Sequence, residues 1–150
     1  MSERQCVVFK LEGEDYGIDI MNVREITELK VTTKIPNTPD FIDGVINIRG
    51  SVVPIINLKK RFKLETTEIR KNSRIIIVNM NEKQIGFIVD EASQVTTLMD
   101  DNIDKLPEII AGEDKKYIVG IVTIEDKTII LLDLIATLSE KERKEVEEIN

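Results

Sequence analysis

Hydrophobic and polar positions alternate along most of this 150-residue chain, with the two-residue period that is typical of β-strands. Polar turn clusters separate the clearest runs, which cover residues 6–11, 16–20, 74–80 and 84–89. A more polar extended run follows at 23–33. The pattern therefore predicts a mainly β protein with short strands.

One strand-turn-strand segment occurs twice. Residues 44–58 read GVINIRGSVVPIINL, and residues 120–134 read GIVTIEDKTIILLDL. The rest of each half aligns in the same order, because residues 85–89 match 16–20. Five short strands per half predict two small barrels or a sandwich. The barrel is favoured because the second strand of each copy is apolar on both faces. One face then fills an interior, and a neighbouring element covers the other.

The repeat predicts a first barrel over residues 1–70, a second over 71–138, and a helix or tail over 139–150. A barrel of about 70 residues is marginal on its own, so we expect the two to share a hydrophobic seam. Exchange of strands between the halves remains open.

Ser139 and Glu142 have the spacing of a capping box, which predicts the start of the C-terminal helix. Three apolar residues could dock this helix: Leu138, Val146 and Ile149. The favoured interpretation is a charged helix that frays at its end.

Composition narrows the function classes. The chain has no histidine, which excludes imidazole bases and ligands, and it lacks the common nucleotide-binding and catalytic motifs. We therefore expect no catalytic residues and no cofactor. Cys6 is the only cysteine, and a buried apolar role is favoured over a reactive thiol. The net charge of −7 opposes binding to nucleic acid, and without an 18-residue apolar run or a signal segment we expect a cytoplasmic protein without membrane insertion.

Acidic residues offer no convincing metal site. Residues 100–104 resemble the start of a calcium loop, but Lys105 stands where that loop needs glycine and Ala111 where it needs glutamate. This segment belongs to a long polar connection over 100–116. Asp90 and Asp133 are interpreted as solvated ends of strands. We therefore expect no metal.

The two copies differ at their turns. Ile46 and Ile48 face inward by alternation, as do their matches Val122 and Ile124. The first turn is Arg49-Gly50, where the second copy has Glu125-Asp126, and glycine makes a type II turn or a bulge easy there. Pro54 follows and predicts an edge or a bulge, since it lacks an amide donor. The first copy thus presents a cation beside an irregular edge, although an ordinary solvated turn is the alternative.

A second candidate surface lies at residues 22–26, where Val23 and Glu25 alternate with Arg24 and Ile26. One face would be both apolar and acidic, which suits docking. An ordinary half-buried strand is the alternative.

Five segments of the first half form a recognisable series: EDYGIDI at 14–20, VREI at 23–26, IPNTP at 35–39, FIDGVINIRG at 41–50 and VPIINL at 53–58. In this order they resemble the CheW family of chemotaxis coupling proteins. The second half fits more loosely. The resemblance implies two packed SH3-like five-stranded barrels, with short helices and no catalysis.

The resemblance also implies partners. Family members link the cytoplasmic tips of chemoreceptors to the regulatory domain of the histidine kinase CheA, in arrays at the membrane. The implied receptor-binding residues are Val23, Glu25, Arg49 and Gly50, with Ile26 and Ile46 as neighbours. The first hypothesis is thus a non-enzymatic scaffold; the alternatives are a small-ligand or RNA-binding β-barrel and, less favoured, an enzyme.

Overall fold

A computed structural model describes residues 2–65, 68–107 and 115–149, except for the side chain of Ser93. Within these ranges the chain forms strands β1 (Glu3–Leu11), β2 (Glu14–Asp19), β3 (Val23–Glu28), β4 (Ile42–Ile48), β5 (Ser51–Asn57), β6 (Arg74–Met80), β7 (Lys83–Val89), β8 (Glu91–Met99), β9 (Ile118–Ile124) and β10 (Lys127–Leu132). The helices are α1 (Leu58–Arg61) and α2 (Glu140–Ile149), and 3₁₀ turns cover Ile20–Asn22, Asp100–Asn102 and Ile135–Thr137. The mainly β prediction is confirmed.

The strands form two five-stranded sheets, which we call barrel 1 and barrel 2. Barrel 1 has the order β8-β1-β2-β10-β9, and barrel 2 has the order β3-β6-β7-β5-β4. The first two strands of each half therefore pair with the last three strands of the other half. The sheets do not follow the predicted division of the chain at residue 70, because strands are exchanged between the halves.

The crossover at Asp90 favours this exchange. Asp90 is the only residue between β7 and β8, and a tight antiparallel hairpin needs two. The chain therefore continues from barrel 2 into barrel 1 instead of turning back. The exchanged strands then join in parallel, with β2 beside β10 and β5 beside β7.

An isolated bridge closes each sheet into a barrel. Thr33 and Val45 exchange two backbone hydrogen bonds of 2.9 Å, and Asp104 and Ile121 exchange two of 2.8 Å. Val45 and Ile121 are equivalent positions of the two copies. Both barrels thus close at the same place, directly after Gly44 and Gly120.

The described residues form a core of three parts, and the predicted seam is confirmed. Barrel 2 is filled by a cluster that includes Ile46, Ile55 and Ile75, and barrel 1 by a cluster that includes Cys6 and Val122. The largest cluster draws on both barrels and on the C-terminal helix; among its members are Phe9, Ile18, Ile56, Phe87, Leu134 and Val146. Exchanged strands and a shared core bind the barrels into one unit.

The C-terminal helix docks along its length, so the expectation of a fraying helix is wrong. Val146 is fully buried, Leu138 is nearly so, and Ile149 packs against the shared core. Ser139 and Glu142 form both hydrogen bonds of the predicted capping box, at 2.8 and 3.1 Å. Few apolar residues are enough to dock this helix, because each of them packs into the seam between the barrels.

Candidate partner-binding site

The structure brings the two predicted candidate surfaces together on barrel 2. Glu25 lies on β3, Arg49 lies in the turn between β4 and β5, and Arg49 Nη2 is 2.6 Å from Glu25 Oε1. The Arg49 side chain remains 66% exposed and that of Glu25 28% exposed. The pair therefore links two separate elements and still offers its cation to solvent.

A β-bulge shapes the β3 side of this surface. Val23 pairs with Val78 and Glu25 with Ile77, so Arg24 is an extra residue in the strand. Beyond the bulge Ile26 is 38% exposed, and Leu29 is exposed to the same extent. The same shift occurs on β8, where Ala92 and Gln94 pair with the adjacent residues Phe9 and Val8. The bulge is thus a property of the repeat and not of one copy.

The predicted alternation of β3 is confirmed, but its faces have different exposure. Val23 and Glu25 are half-buried, whereas Arg24 and Ile26 are exposed. Val23 packs against the shared core. The face predicted to dock, which carries Val23 and Glu25, is thus the half-buried one, and the outward face carries Arg24 and Ile26. Sequence reasoning missed Arg24 as a residue of the outward surface, although the alternation could have identified it.

The turn differs from the predicted type. Both central residues have positive φ, 49° at Arg49 and 87° at Gly50, as in a type I′ hairpin turn. A type I′ turn matches the right-handed twist of the strands, which a type II turn would splay. Asn47 Oδ1 accepts a 2.9 Å hydrogen bond from the Gly50 amide and fixes the turn. Sequence reasoning missed this role of Asn47, although a polar residue on an outward position before a turn is a usable signal.

Ile46 cannot present its side chain to a partner. It is 6% exposed and belongs to the interior cluster of barrel 2. Its proposed place among the neighbours of the binding site is therefore corrected to interior packing, as its inward alternation predicts.

Pro54 is also buried, at the point where β5 has no partner on β7, because that pairing begins only at Ile55. Pro54 thus lies where one side of β5 is unpaired, as the prediction of an edge or a bulge requires.

The surface is distinct from the cleft beside the C-terminal helix. That cleft has a volume of about 800 Å³, and its lining includes the stacked rings of Phe62 and Tyr117. None of the six predicted residues lines it. The candidate site is therefore an exposed strand and turn, not the wall of this cleft.

Of the two acidic residues interpreted as solvated strand ends, Asp90 differs and Asp133 agrees. Asp90 is only 6% exposed and is bound by Lys59 at 2.8 Å, so it is not a solvated strand end. Asp133 is exposed directly after β10, and its Oδ1 accepts a hydrogen bond from the Ala136 amide. Asp100 lies beside Arg4 at 3.3 Å, and the calcium-like loop ends at Ala111, outside the described residues. Among the described residues, no three acidic or cysteine side chains are grouped as metal ligands would be.

Cys6 is packed in the interior of barrel 1, as the buried interpretation predicts. Burial raises the pKa of its thiol to about 11 from the ordinary 9.0, with the carboxylate of Asp19 adding to this and Arg4 opposing it. At pH 8 this shift alone lowers the thiolate fraction about a hundredfold.

We therefore expect Cys6 to react with a chromogenic disulfide reagent at pH 8 at least about a hundredfold more slowly in the folded protein than in urea. A cysteine placed at exposed Thr97, with Cys6→Ala, is the fast-reacting control. Because the pKa of Cys6 is higher in the folded protein, the neutral thiol contributes to the free energy of unfolding. This contribution is complete below about pH 9 and is lost as the pH rises towards 11. Native and urea rates within tenfold of each other would contradict the burial.

Comparison with known proteins identifies the family. A family model described as a CheW-like domain matches residues 5–142. The chain belongs to the CheW family. It is 35% identical to the chemotaxis protein CheW of Klebsiella aerogenes over 146 residues, which cover 97% of this chain and 88% of that protein. The CheW of Bacillus subtilis is 35% identical over 137 residues, which cover 91% and 88% of the two chains.

A solved structure agrees in fold. The crystal structure of the scaffolding protein TtCheW from Thermoanaerobacter tengcongensis superposes with a TM-score of 0.80 at 40% sequence identity, covering 89% of this chain and 86% of that one. The CheW-like architecture of two barrels is thus confirmed, and the chain is a chemotaxis coupling scaffold. The ligand- or RNA-binding alternative is not favoured. Within the described residues no helix is long and apolar enough to cross a membrane.

Proposed function

We propose that this CheW-family scaffold couples the cytoplasmic tips of chemoreceptors to the regulatory domain of the histidine kinase CheA, without catalysis of its own. It would act in the cytoplasm and join receptor arrays at the membrane through these partners. The observation that carries the receptor contact is the exposed ion pair between Arg49 and Glu25 beside the bulged strand β3.

The chemistry of this surface suits a helical partner. An apolar residue, Ile26, stands beside charges of both signs on Arg24, Glu25 and Arg49. Helices commonly dock by placing apolar side chains on such a surface while charges at its rim set the orientation. We propose Val23, Glu25, Ile26, Arg49 and Gly50 as the receptor-binding residues, with Val23 and Gly50 supporting the shape of the strand and turn.

The molecule also suits a scaffold. Exchanged strands and a shared core join the two barrels into one unit, so a surface on barrel 2 and a surface on barrel 1 can each serve a different partner. In an array many such contacts act together, and moderate affinity for each partner is then sufficient.

The proposal is tested by binding the full chain to two immobilised partners, a CheA regulatory domain and a receptor cytoplasmic fragment. We expect micromolar affinity for each. A receptor fragment that lacks the hairpin tip is the matched control and should not bind. Absence of binding to both partners at micromolar concentrations would overturn the coupling role.

A further inference from the structure

Four charged side chains meet where the chain passes from barrel 2 to barrel 1; we call them the crossover cluster. They are Glu12, Lys59, Arg70 and Asp90. Lys59 Nζ lies 2.7 Å from Glu12 Oε1 and 2.8 Å from Asp90 Oδ1. Arg70 contacts the same two carboxylates, at 3.0 and 3.6 Å. The two cations and two anions balance in charge.

The cluster connects both barrels. Glu12 belongs to the β1–β2 turn of barrel 1, and Lys59 lies on α1 directly after β5 of barrel 2. Asp90 is the crossover residue between β7 of barrel 2 and β8 of barrel 1. Asp90 also binds the backbone of barrel 1 twice. Its Oδ2 accepts a 2.7 Å hydrogen bond from the Glu12 amide, and its own amide donates to the Lys10 carbonyl at 2.9 Å.

The centre of the cluster is buried. Lys59 is 3% exposed and Asp90 6% exposed, whereas charged residues are rarely buried to this degree. The hydrogen bond from Lys59 lowers the pKa of the Glu12 carboxyl below its usual range. Lys59 of barrel 2 thus binds a carboxylate of barrel 1, and Asp90 binds both Lys59 of barrel 2 and the Glu12 amide of barrel 1.

The repeat shows that the fold does not require this cluster. The positions equivalent to Glu12, Lys59 and Asp90 at the other crossover are Asn81, Ile135 and Met21. Met21 is 85% exposed, and Asn81 instead contacts Glu147 on α2. Of the two equivalent crossovers, the one at Asp90 therefore contains buried ion pairs and the one at Met21 does not.

Buried ion pairs contribute little net stability, because desolvation offsets their attraction, and apolar replacements are often as stable. Their geometry, however, is far more directional than apolar contact. We propose that the crossover cluster is a positioning device, which sets the orientation of barrel 1 relative to barrel 2. This inference concerns the free protein and does not depend on the proposed partners.

The test separates orientation from stability. In the full chain, Lys59→Met and Asp90→Leu together replace the central pair by apolar side chains of similar shape, one unbranched and one branched at Cγ. Spin labels at Glu28 on barrel 2 and Thr97 on barrel 1, both exposed, report the distance between the barrels in a Cys6→Ala background. We expect a broadened or shifted distance distribution, together with a urea midpoint that falls by no more than the loss of the hydrogen bond between the Glu12 amide and Asp90 Oδ2 explains.

The matched control is Lys10→Met with Asp15→Leu, which removes a 3.0 Å ion pair within barrel 1. It should leave the distance distribution unchanged. If the Lys59 and Asp90 double variant does not fold, Asp90→Asn keeps the shape of the side chain and should still broaden the distribution. A folded variant of either kind with the native distance distribution would show that the seam alone sets the orientation and would overturn the proposal.

Discussion

Gly44→Ala is expected to lower the free energy of unfolding by about 3 kcal/mol, through overpacking and backbone strain together. A Cβ at this position would lie 2.4 Å from the carbonyl oxygen of Thr33 and 2.9 Å from Cβ of Thr32. The first of these atoms is backbone, so the strand that closes barrel 2 would have to move. The φ of 148° adds strain for any residue with a side chain.

Chemical denaturation measures this loss, and thermal melting should show a fall in Tm of roughly 6–12 °C for a domain of this size. The control is Gly13→Ala, which also has a positive φ but meets nothing within 4 Å. It isolates the backbone strain and should cost only about 1 kcal/mol. Equal losses for the two variants would mean that the barrel does not close as tightly as the bridge at Thr33 indicates.

The glycines that the two copies of the repeat share show what the sequence could predict. Gly44 and Gly120 are equivalent, and a Cβ at either one would collide with the segment that closes its barrel. The repeated strand-turn-strand could thus be recognised without a structure, because backbone contact demands the same residue in both copies. The inward positions of Ile48 and Val122 could also be predicted, because successive side chains of a strand point to opposite faces.

Strand exchange could not be predicted, because it leaves the local contacts unchanged. Ile55 pairs with Gly86 from the other half, and Leu131 pairs with Gly17 in the equivalent way. Since the two halves match, either pairing would place the same kinds of side chains together. Only the length of the crossover at Asp90 favours exchange, and that length became evident once the strand ends were known.

The site was predictable in part. Glu25 and Arg49 are 24 residues apart, and no local pattern implies that they touch. Each could still be singled out, Arg49 by a turn that differs between the two copies and Glu25 by a strand face that is both apolar and acidic. The crossover cluster had no such signal, because Lys59 and Asp90 lie in different strand-loop segments and look like solvated charges. Contacts between distant segments depend on topology, which the sequence left open here.

Arg49→Glu is expected to weaken binding of the receptor fragment at least about tenfold while the fold survives. The substitution places a second carboxylate beside Glu25 and removes the exposed cation. Because the pair is partly solvated, its loss should change the free energy of unfolding by no more than about 1 kcal/mol. Titration of the immobilised receptor fragment measures the affinity, and urea denaturation measures the stability. Glu125→Arg, at the equivalent turn of barrel 1, is the control and should leave receptor affinity unchanged.

The charge swap Glu25→Arg with Arg49→Glu then separates two roles of the pair. It rebuilds an ion pair between β3 and the turn, so any effect that works only through holding these elements together should be rescued. If Arg49 contacts the receptor directly, the swap restores stability but not affinity, because the cation now stands on β3, where the carboxylate was. We expect this second result, since the Arg49 side chain is the more exposed member of the pair. Native affinity in Arg49→Glu itself would remove the turn from the binding site, and unfolding of that variant would make Arg49 a structural residue.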